Sequence, residues 1–335
     1  MNVQMWGKAL RGIPRLDKNE WDSLDVISRW LISTRAAVLI MTFISASIAG
    51  LMAARVGQFD FGRWVLLTIG LVFAHATNNI LNDMTDYQRG VDKDNYFRTQ
   101  YGPQPLESGL MSKRELSVYA AITGAIAIAA GIPLVIQGGW LALGLMLAGA
   151  FFVLFYTWPL KYIGLGEVAV ILVWGPLMIG GGYYVITGQW DWGVSLATLP
   201  YALGTTMVIF GKHIDKLEQD RAKGIRTLPV ILGEKSARYF TLAMMALQYI
   251  LVVGLVIAGY FTPVMLVVLF ALRGIPVVWR LFSQAKPLER PEDYGKEVWP
   301  LWFVAGAFSH NRSFGLMFLV GLIAEVVLRQ MGLFA

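Results

Sequence analysis

The chain of 335 residues has no cysteine, only three histidines and few charges, with 15% of its residues Asp, Glu, Lys or Arg. Without cysteine there can be no disulfide and no thiolate metal site. No G-x-x-x-x-G-K-[ST] loop occurs in the polar loops, so a nucleotide P-loop is not supported and a phosphate donor other than ATP is expected. Fixed-period repeats and low-complexity tracts are missing as well. What remains is apolar: 56% hydrophobic residues and a mean hydropathy of +0.56 lie well away from the composition of a soluble domain.

Lipid is therefore the expected solvent, and the expected fold is an all-α membrane bundle. Segments of about 20 apolar residues suffice to cross a bilayer. Nine are found, at 29–54, 61–83, 114–136, 139–157, 163–187, 194–212, 236–259, 262–283 and 298–330. The last is overlong and interrupted at "SHNRS", which predicts a short re-entrant piece followed by a span. Lys and Arg collect on the cytoplasmic side of such proteins. With the N-terminus inside, 22 of the 28 fall in or beside inner connections and three outside. The chain is thus expected to be an integral multi-pass protein of the cell (inner or plasma) membrane with a cytoplasmic N-terminus. Its net charge of +6 needs no nucleic acid. Residues 1–28 read as an interfacial segment, "WDSLDVISRW" as one amphipathic helix, and 29–335 as a single domain; nothing resembles a cleavable signal. Two long inner loops, 84–113 and 213–235, hold most of the mass outside the membrane. Glu325 and Arg329, at i and i+4 in the last span, read as an interfacial ion pair.

The stretch "NNILNDMTDYQRGVD", Asn78 to Asp92, is the first departure from this apolar pattern. At 100° per residue, His75, Asn79, Asn82 and Asp86 fall on one helical face, with Asn78 and Asp83 flanking. Ionisable groups at membrane depth are costly and normally face a cavity or a partner, so the stripe is expected to line a wet pocket. Gly90 interrupts the helix and Asp92 follows in the loop. Carboxylates and an amide oxygen, with no His or Cys cage, suit a hard cation, Mg²⁺ first, completed by phosphate oxygens.

The second long inner loop, "GKHIDKLEQDRAKGIRTLPV", mixes Asp215, Glu218 and Asp220 with Lys212, Lys216, Arg221, Lys223 and Arg226. Acids bind cations and bases bind phosphate oxygens. The mixture fits a metal-bridged polyphosphate better than either ligand alone.

These residues resemble the UbiA superfamily of intramembrane prenyltransferases, in particular the MenA-like branch that acts on 1,4-dihydroxy-2-naphthoate. The family form N-D-x-x-D-x-x-x-G-x-D stands here as Asn82, Asp83, Asp86, Gly90 and Asp92. "STR" at Ser33 to Arg35, "GLGE" at Gly164 to Glu167, "WGPL" at Trp174 to Leu177 and "DRAKGIRTLPV" from Asp220 are similar to further family motifs. The likeness covers roughly residues 30 to 330. One position departs: the family's second motif, D-x-x-x-D, would place acids at 216 and 220, and position 216 is Lys. Asp215 is turned about 140° from Asp220 on a straight helix, whereas Lys216 shares its face. Either the helix ends early and Asp215 swings in, or a metal ligand is lost and Lys216 contacts diphosphate directly.

The resemblance implies a UbiA-like bundle with its active site at the two inner loops, and an enzyme that moves a polyprenyl group from a polyprenyl diphosphate to an aromatic quinone precursor. It implies two Mg²⁺, held by Asn82, Asp83, Asp86 and Asp92 and by Asp215 and Asp220. Lys161, Lys212, Lys216, Arg226 and Arg35 are candidates for diphosphate binding. His75, Asn79, Glu167 and Tyr156 are candidates for the acceptor, Glu167 alternatively anchoring Lys161. Gly175–Pro176 should kink the fifth span and open room for a ring. A membrane terpene cyclase of the same superfamily is the alternative. A secondary transporter fits less well, since the acids cluster at one face and no inverted repeat is visible.

Overall fold

A computed structural model describes residues 2–93, 102–296 and 298–333; positions 94–101, inside the first long loop, lie outside the described residues. Among the described residues there are helices and no strands. Three short helices, α1 (Val3–Arg11), α2 (Lys18–Asp22) and α3 (Val26–Ser33), precede α4 (Ala36–Arg55) and the long α5 (Phe61–Gln88). "WDSLDVISRW" is not one helix. Asp25 caps α3 by accepting the Ser28 amide at 2.8 Å, and it also accepts the indole N–H of Trp6 at 3.1 Å, tying α1 to the break. A short polar side chain that competes for backbone donors ends the helix that hydrophobic spacing alone would continue.

Next comes α6 (Lys113–Phe155), opened by a capping box in which Ser112 and Glu115 satisfy each other's amides. It holds the third and fourth expected spans, joined at Gly139, whose φ of 65° and ψ of −152° only glycine adopts readily. A 3-10 turn, Leu160–Ile163, leads to α7 (Gly166–Leu172), which runs into a π-helical stretch, Val173–Gly180, around Pro176, then α8 (Gly181–Thr187). The expected kink at Gly175–Pro176 is therefore a widened turn, which accommodates a residue with no N–H and a ring that crowds the preceding turn. α9 (Trp192–Ala197), α10 (Leu199–Asp215), α11 (Leu217–Ala222), α12 (Leu228–Leu232), α13 (Glu234–Ile257), a 3-10 segment Pro263–Gly274, α14 (Ile275–Ser283) and α15 (Phe303–Gln330) complete the order.

Seven helical stretches among the described residues are long and apolar enough to cross a membrane, against nine expected spans. The difference lies in two places. The helix Lys113–Phe155 is one stretch with a break, and α10 has 17 residues and is buried on almost every side. The surface of the bundle is apolar: on α6, Ile122, Ile128, Leu147 and Leu154 are each more than half exposed. In water such a face would be unfavourable, whereas in hydrocarbon it costs nothing. The chain folds as a multi-pass membrane bundle.

The last expected span is not interrupted. α15 runs unbroken through Ser309–Ser313 because His310 and Asn311 turn inward, His310 Nε2 lying 3.3 Å from Gln248 Oε1, while Ser313 Oγ donates to the Ser309 carbonyl at 3.0 Å. Glu325 also differs from expectation. It is fully buried, and its carboxylate accepts from Arg55 Nε at 2.6 Å and the Thr262 amide at 3.2 Å, with Arg329 more distant at 3.4 Å. This cluster ties α4 and the 263–274 segment to α15 at one end of the bundle. At the other end Trp21 and Leu24 pack with Ile80, Leu110 and Leu116, so the N-terminal helices and the first long loop lie together.

Candidate active site

The stripe on α5 is buried as its spacing predicts, with His75, Asn79, Asn82 and Asp86 between 2% and 8% exposed. Each amide or carboxyl has a different task. Asn79 Nδ2 donates to the Thr34 carbonyl at 2.8 Å, at the junction of α3 and α4. There Arg35 has φ 55° and ψ 52°, the one left-handed residue other than glycine among those described. Holding a side chain in that region costs about 1–3 kcal/mol, which the surroundings must offset. Asn79 and an ion pair from the Arg35 guanidinium to Asp83 do so. Asn82 Nδ2 donates to Thr157 Oγ1 at 2.9 Å, which leaves Asn82 Oδ1 buried with no protein partner. Asp86 accepts from Lys161 Nζ at 2.7 Å, both side chains nearly inaccessible.

Asp92, beyond Gly90, is also buried, and its carboxyl lies close enough to Asp86 to be influenced by its charge. Burial first, and the Asp86 charge second, push Asp92 up to about 6. A carboxyl in that state binds a proton or a cation more readily than an exposed one.

The second loop joins this cluster through lysines. Lys216 and Lys212 lie within electrostatic reach of Asp86. Lys216 Nζ pairs with Asp220 Oδ1 at 2.9 Å, and Asp220 Oδ2 is buried without a protein partner. Lys223, which the sequence did not single out, bolts the loops together: its ammonium donates to the carbonyls of Gly90 at 3.1 Å, Val91 at 2.5 Å and Lys93 at 2.6 Å.

Asp215 does not join them. Its carboxylate accepts the amides of Trp302, Phe303 and Val304 at 3.0, 3.1 and 3.0 Å, capping α15, with Lys286 Nζ 3.6 Å away. Gly211 makes that approach possible, since a Cβ there would stand 2.8 Å from the Phe303 backbone. α10 does end at Asp215, with a break at Lys216 before α11, but Asp215 turns to the start of α15 and not inward to the α5 cluster. Lys161 pairs with Asp86, and Glu167 pairs with His213. The Glu167 carboxylate accepts from His213 Nδ1 at 2.6 Å and from the Leu228 amide at 3.3 Å, and so fixes the start of α12. Arg226 is exposed, and its backbone amide donates to the Tyr162 carbonyl at 3.3 Å.

A cavity of about 940 Å³ opens beside the stripe. Its polar part includes Arg35, His75, Asn79, Asn82, Tyr156 and Lys212; most of the rest is apolar, from Leu71, Leu134, Met146, Val173 and Met178 among others. His75 Nδ1 is 2.7 Å from Thr42 Oγ1, and its ring meets Trp174 edge-on at 5.3 Å. Asp86, Asp92 and Asp220 do not line the cavity and adjoin it through Asn82 and Lys212. Residues Arg11 to Ile13 and Val298 also border it, so the N-terminal segment helps form its wall.

Could this site hold a cation? Among the described residues no three His, Asp or Glu side chains converge as a ready cage. The α5 side nevertheless offers the unpartnered amide oxygen of Asn82 beside the carboxylates of Asp86 and Asp92. This all-oxygen set fits an ion that keeps further places for water or phosphate, as Mg²⁺ does.

Comparison with known proteins bears on the family and the fold. The family described as UbiA prenyltransferase family matches residues 42–294. A 1,4-dihydroxy-2-naphthoate octaprenyltransferase of Bacillus subtilis is 23% identical over 296 residues, 87% of this chain and 90% of that protein. A digeranylgeranylglyceryl phosphate synthase of Natronomonas pharaonis is 28% identical over 246 residues, 72% of this chain and 82% of that protein. Among solved structures, a UbiA homolog from Archaeoglobus fulgidus bound to GPP and Mg²⁺ superposes with a TM-score of 0.58 at 16% identity, covering 89% of this chain and 99% of that one.

Proposed function

The chain belongs to the UbiA prenyltransferase family, and from that premise we propose that it transfers a polyprenyl group from a polyprenyl diphosphate to an aromatic quinone precursor such as 1,4-dihydroxy-2-naphthoate. One observation carries this reading: the buried, partnerless oxygen of Asn82, beside Asp86 and Asp92, lies where a cluster of cations meets a large apolar cavity. A prenyl tail needs the cavity; its diphosphate needs the charges.

Asn82, Asp86 and Asp92 would hold Mg²⁺, which when bound neutralises charge developing on the diphosphate as the allylic C–O bond breaks. Lys161 pairs with Asp86, Lys212 lines the cavity within electrostatic reach of that carboxylate, and Arg35, paired with Asp83, lies on the cavity wall. Preorganised charge in a site with little water stabilises a leaving anion far more than the same charge in solvent. The carbon left behind is an allyl cation, which Trp174 and Tyr156 can face with π-clouds while the apolar wall keeps water away. In this reading His75, beside Thr42 and on the cavity wall, would orient an acceptor hydroxyl or accept its proton. The loops lie on the cytoplasmic side of the cell membrane in this reading, as the Lys and Arg distribution favours.

A second acceptor class is favoured by the archaeal relative's name, which specifies a glycerol phosphate product. The experiment treats both. Purified chain with Mg²⁺ and a radiolabelled polyprenyl diphosphate is given 1,4-dihydroxy-2-naphthoate, a prenylated glycerol phosphate, or no acceptor. The expected result is a chloroform-soluble prenylated naphthol in the first tube alone. Product only with the glycerol phosphate would move the acceptor assignment. Diphosphate release with a hydrocarbon product in the third would replace transfer with cyclisation.

A further inference from the structure

A diphosphate presents anionic oxygens on two phosphorus atoms, so its departure calls for positive charge from more than one side. The two loops answer that need differently. On the α5 side, three oxygen groups stand together: Asn82 Oδ1 without a partner, Asp86 and Asp92. The α10–α11 side has one inward carboxylate, Asp220, and Lys216 holds it at 2.9 Å. Asp215 is engaged by three amides of α15, and withdrawing it would uncap that helix. Glu218 is exposed and paired with Arg221 at 2.9 Å. A lone carboxylate already bound to an ammonium is a poor site for a divalent ion, which takes several oxygens.

We propose that Lys216 supplies, as a built-in cation, the positive charge on this side of the diphosphate, so that the protein binds one divalent ion per prenyl diphosphate. Lys216 is 6% exposed and sits at the break between α10 and α11, where backbone geometry and Asp220 together fix its position. Its charge is felt at Asp86 and at Asp92, which places it beside the α5 cluster. An ammonium has three donors, so the pair with Asp220 and a contact to phosphate oxygen are compatible. Aspartate at 216 would differ from lysine by two units of formal charge, the charge of one divalent ion.

This assignment rests on the prenyl-diphosphate reading above, and its test separates the two. Mn²⁺ bound per chain is counted by EPR on purified protein with saturating geranyl S-thiolodiphosphate, an unreactive donor analogue, and analogue affinity is measured in parallel. Wild type is expected to bind one Mn²⁺ and Lys216→Asp two. Lys216→Met is expected to keep one Mn²⁺ and lose at least about tenfold in analogue affinity, a change that a merely structural ion pair would not produce. Two Mn²⁺ in wild type, one in both wild type and Lys216→Asp, or unaltered affinity in a folded Lys216→Met protein would overturn the assignment and leave prenyl transfer standing. No analogue-dependent Mn²⁺ binding in any of them would overturn both.

Discussion

Asn82 and Asp86 stand about one helical turn apart, and their surroundings give them separate work. The Asn82 amide is oriented by Thr157, leaving its oxygen to a ligand, while Asp86 is held by Lys161. Asp86→Asn keeps the shape and removes the charge. Its turnover of labelled prenyl diphosphate is expected to fall at least about 10³-fold with the protein still monodisperse; turnover at the wild-type rate would remove Asp86 from the site. Asp92 gives a pH signature. Its folded value of about 6 lies above the ordinary carboxyl range. The cation-free protein therefore binds that proton more tightly folded than unfolded, and loses stability as pH rises through about 6. A divalent ion competes with the proton, so Mn²⁺ affinity should weaken as pH falls below about 6. In Asp92→Asn both trends should flatten, in melting curves and in titrations respectively.

The helices explain which acids were readable and which were not. α5 is regular to Gln88, so a stripe at offsets 0, 4, 7 and 11 could be read directly from spacing. Asp215 was not legible in this way. Its fate depends on the amides of 302–304, some 87 residues along the chain, and on the space that Gly211 leaves for them. Asp215→Ala is expected to cost about 1–2 kcal/mol as a lost cap, lowering the melting temperature while the count of bound Mn²⁺ stays unchanged; a lower count would return Asp215 to the metal site. Glu325 tells the same story at the opposite end of the bundle. Its i+4 partner Arg329 was visible in the sequence, but Arg55, 270 residues away, is the closer one. Glu325→Gln leaves partly buried Arg55 without its counter-charge and should destabilise by up to about 3 kcal/mol, read as earlier aggregation of detergent-purified protein on heating.

Over the whole molecule, composition and charge placement foretold an all-helical membrane bundle, because burial in lipid leaves a simple signature in apolar length. The count of seven long apolar helices among the described residues falls short of the nine expected segments because one helix carries two of them across Gly139 and because α10 has 17 residues and is packed by protein on nearly every side. The meeting of the two acidic loops followed from chemistry, but its fastening did not. Lys223 is one of several bases in a positive loop, and only the fold reveals that it grips three carbonyls of the other loop. Nor does sequence give the cavity's volume, which depends on side chains from helices far apart in the chain.

The proposal turns on Asn82, Asp86 and Asp92, which would hold a divalent ion against the diphosphate of a bound prenyl donor. Pulsed electron–nuclear double resonance on the Mn²⁺-loaded protein with geranyl S-thiolodiphosphate measures that contact. A ³¹P coupling of directly coordinated strength is expected in wild type and should vanish in Asp86→Asn. A wild-type spectrum showing Mn²⁺ bound without any such ³¹P coupling would contradict the account.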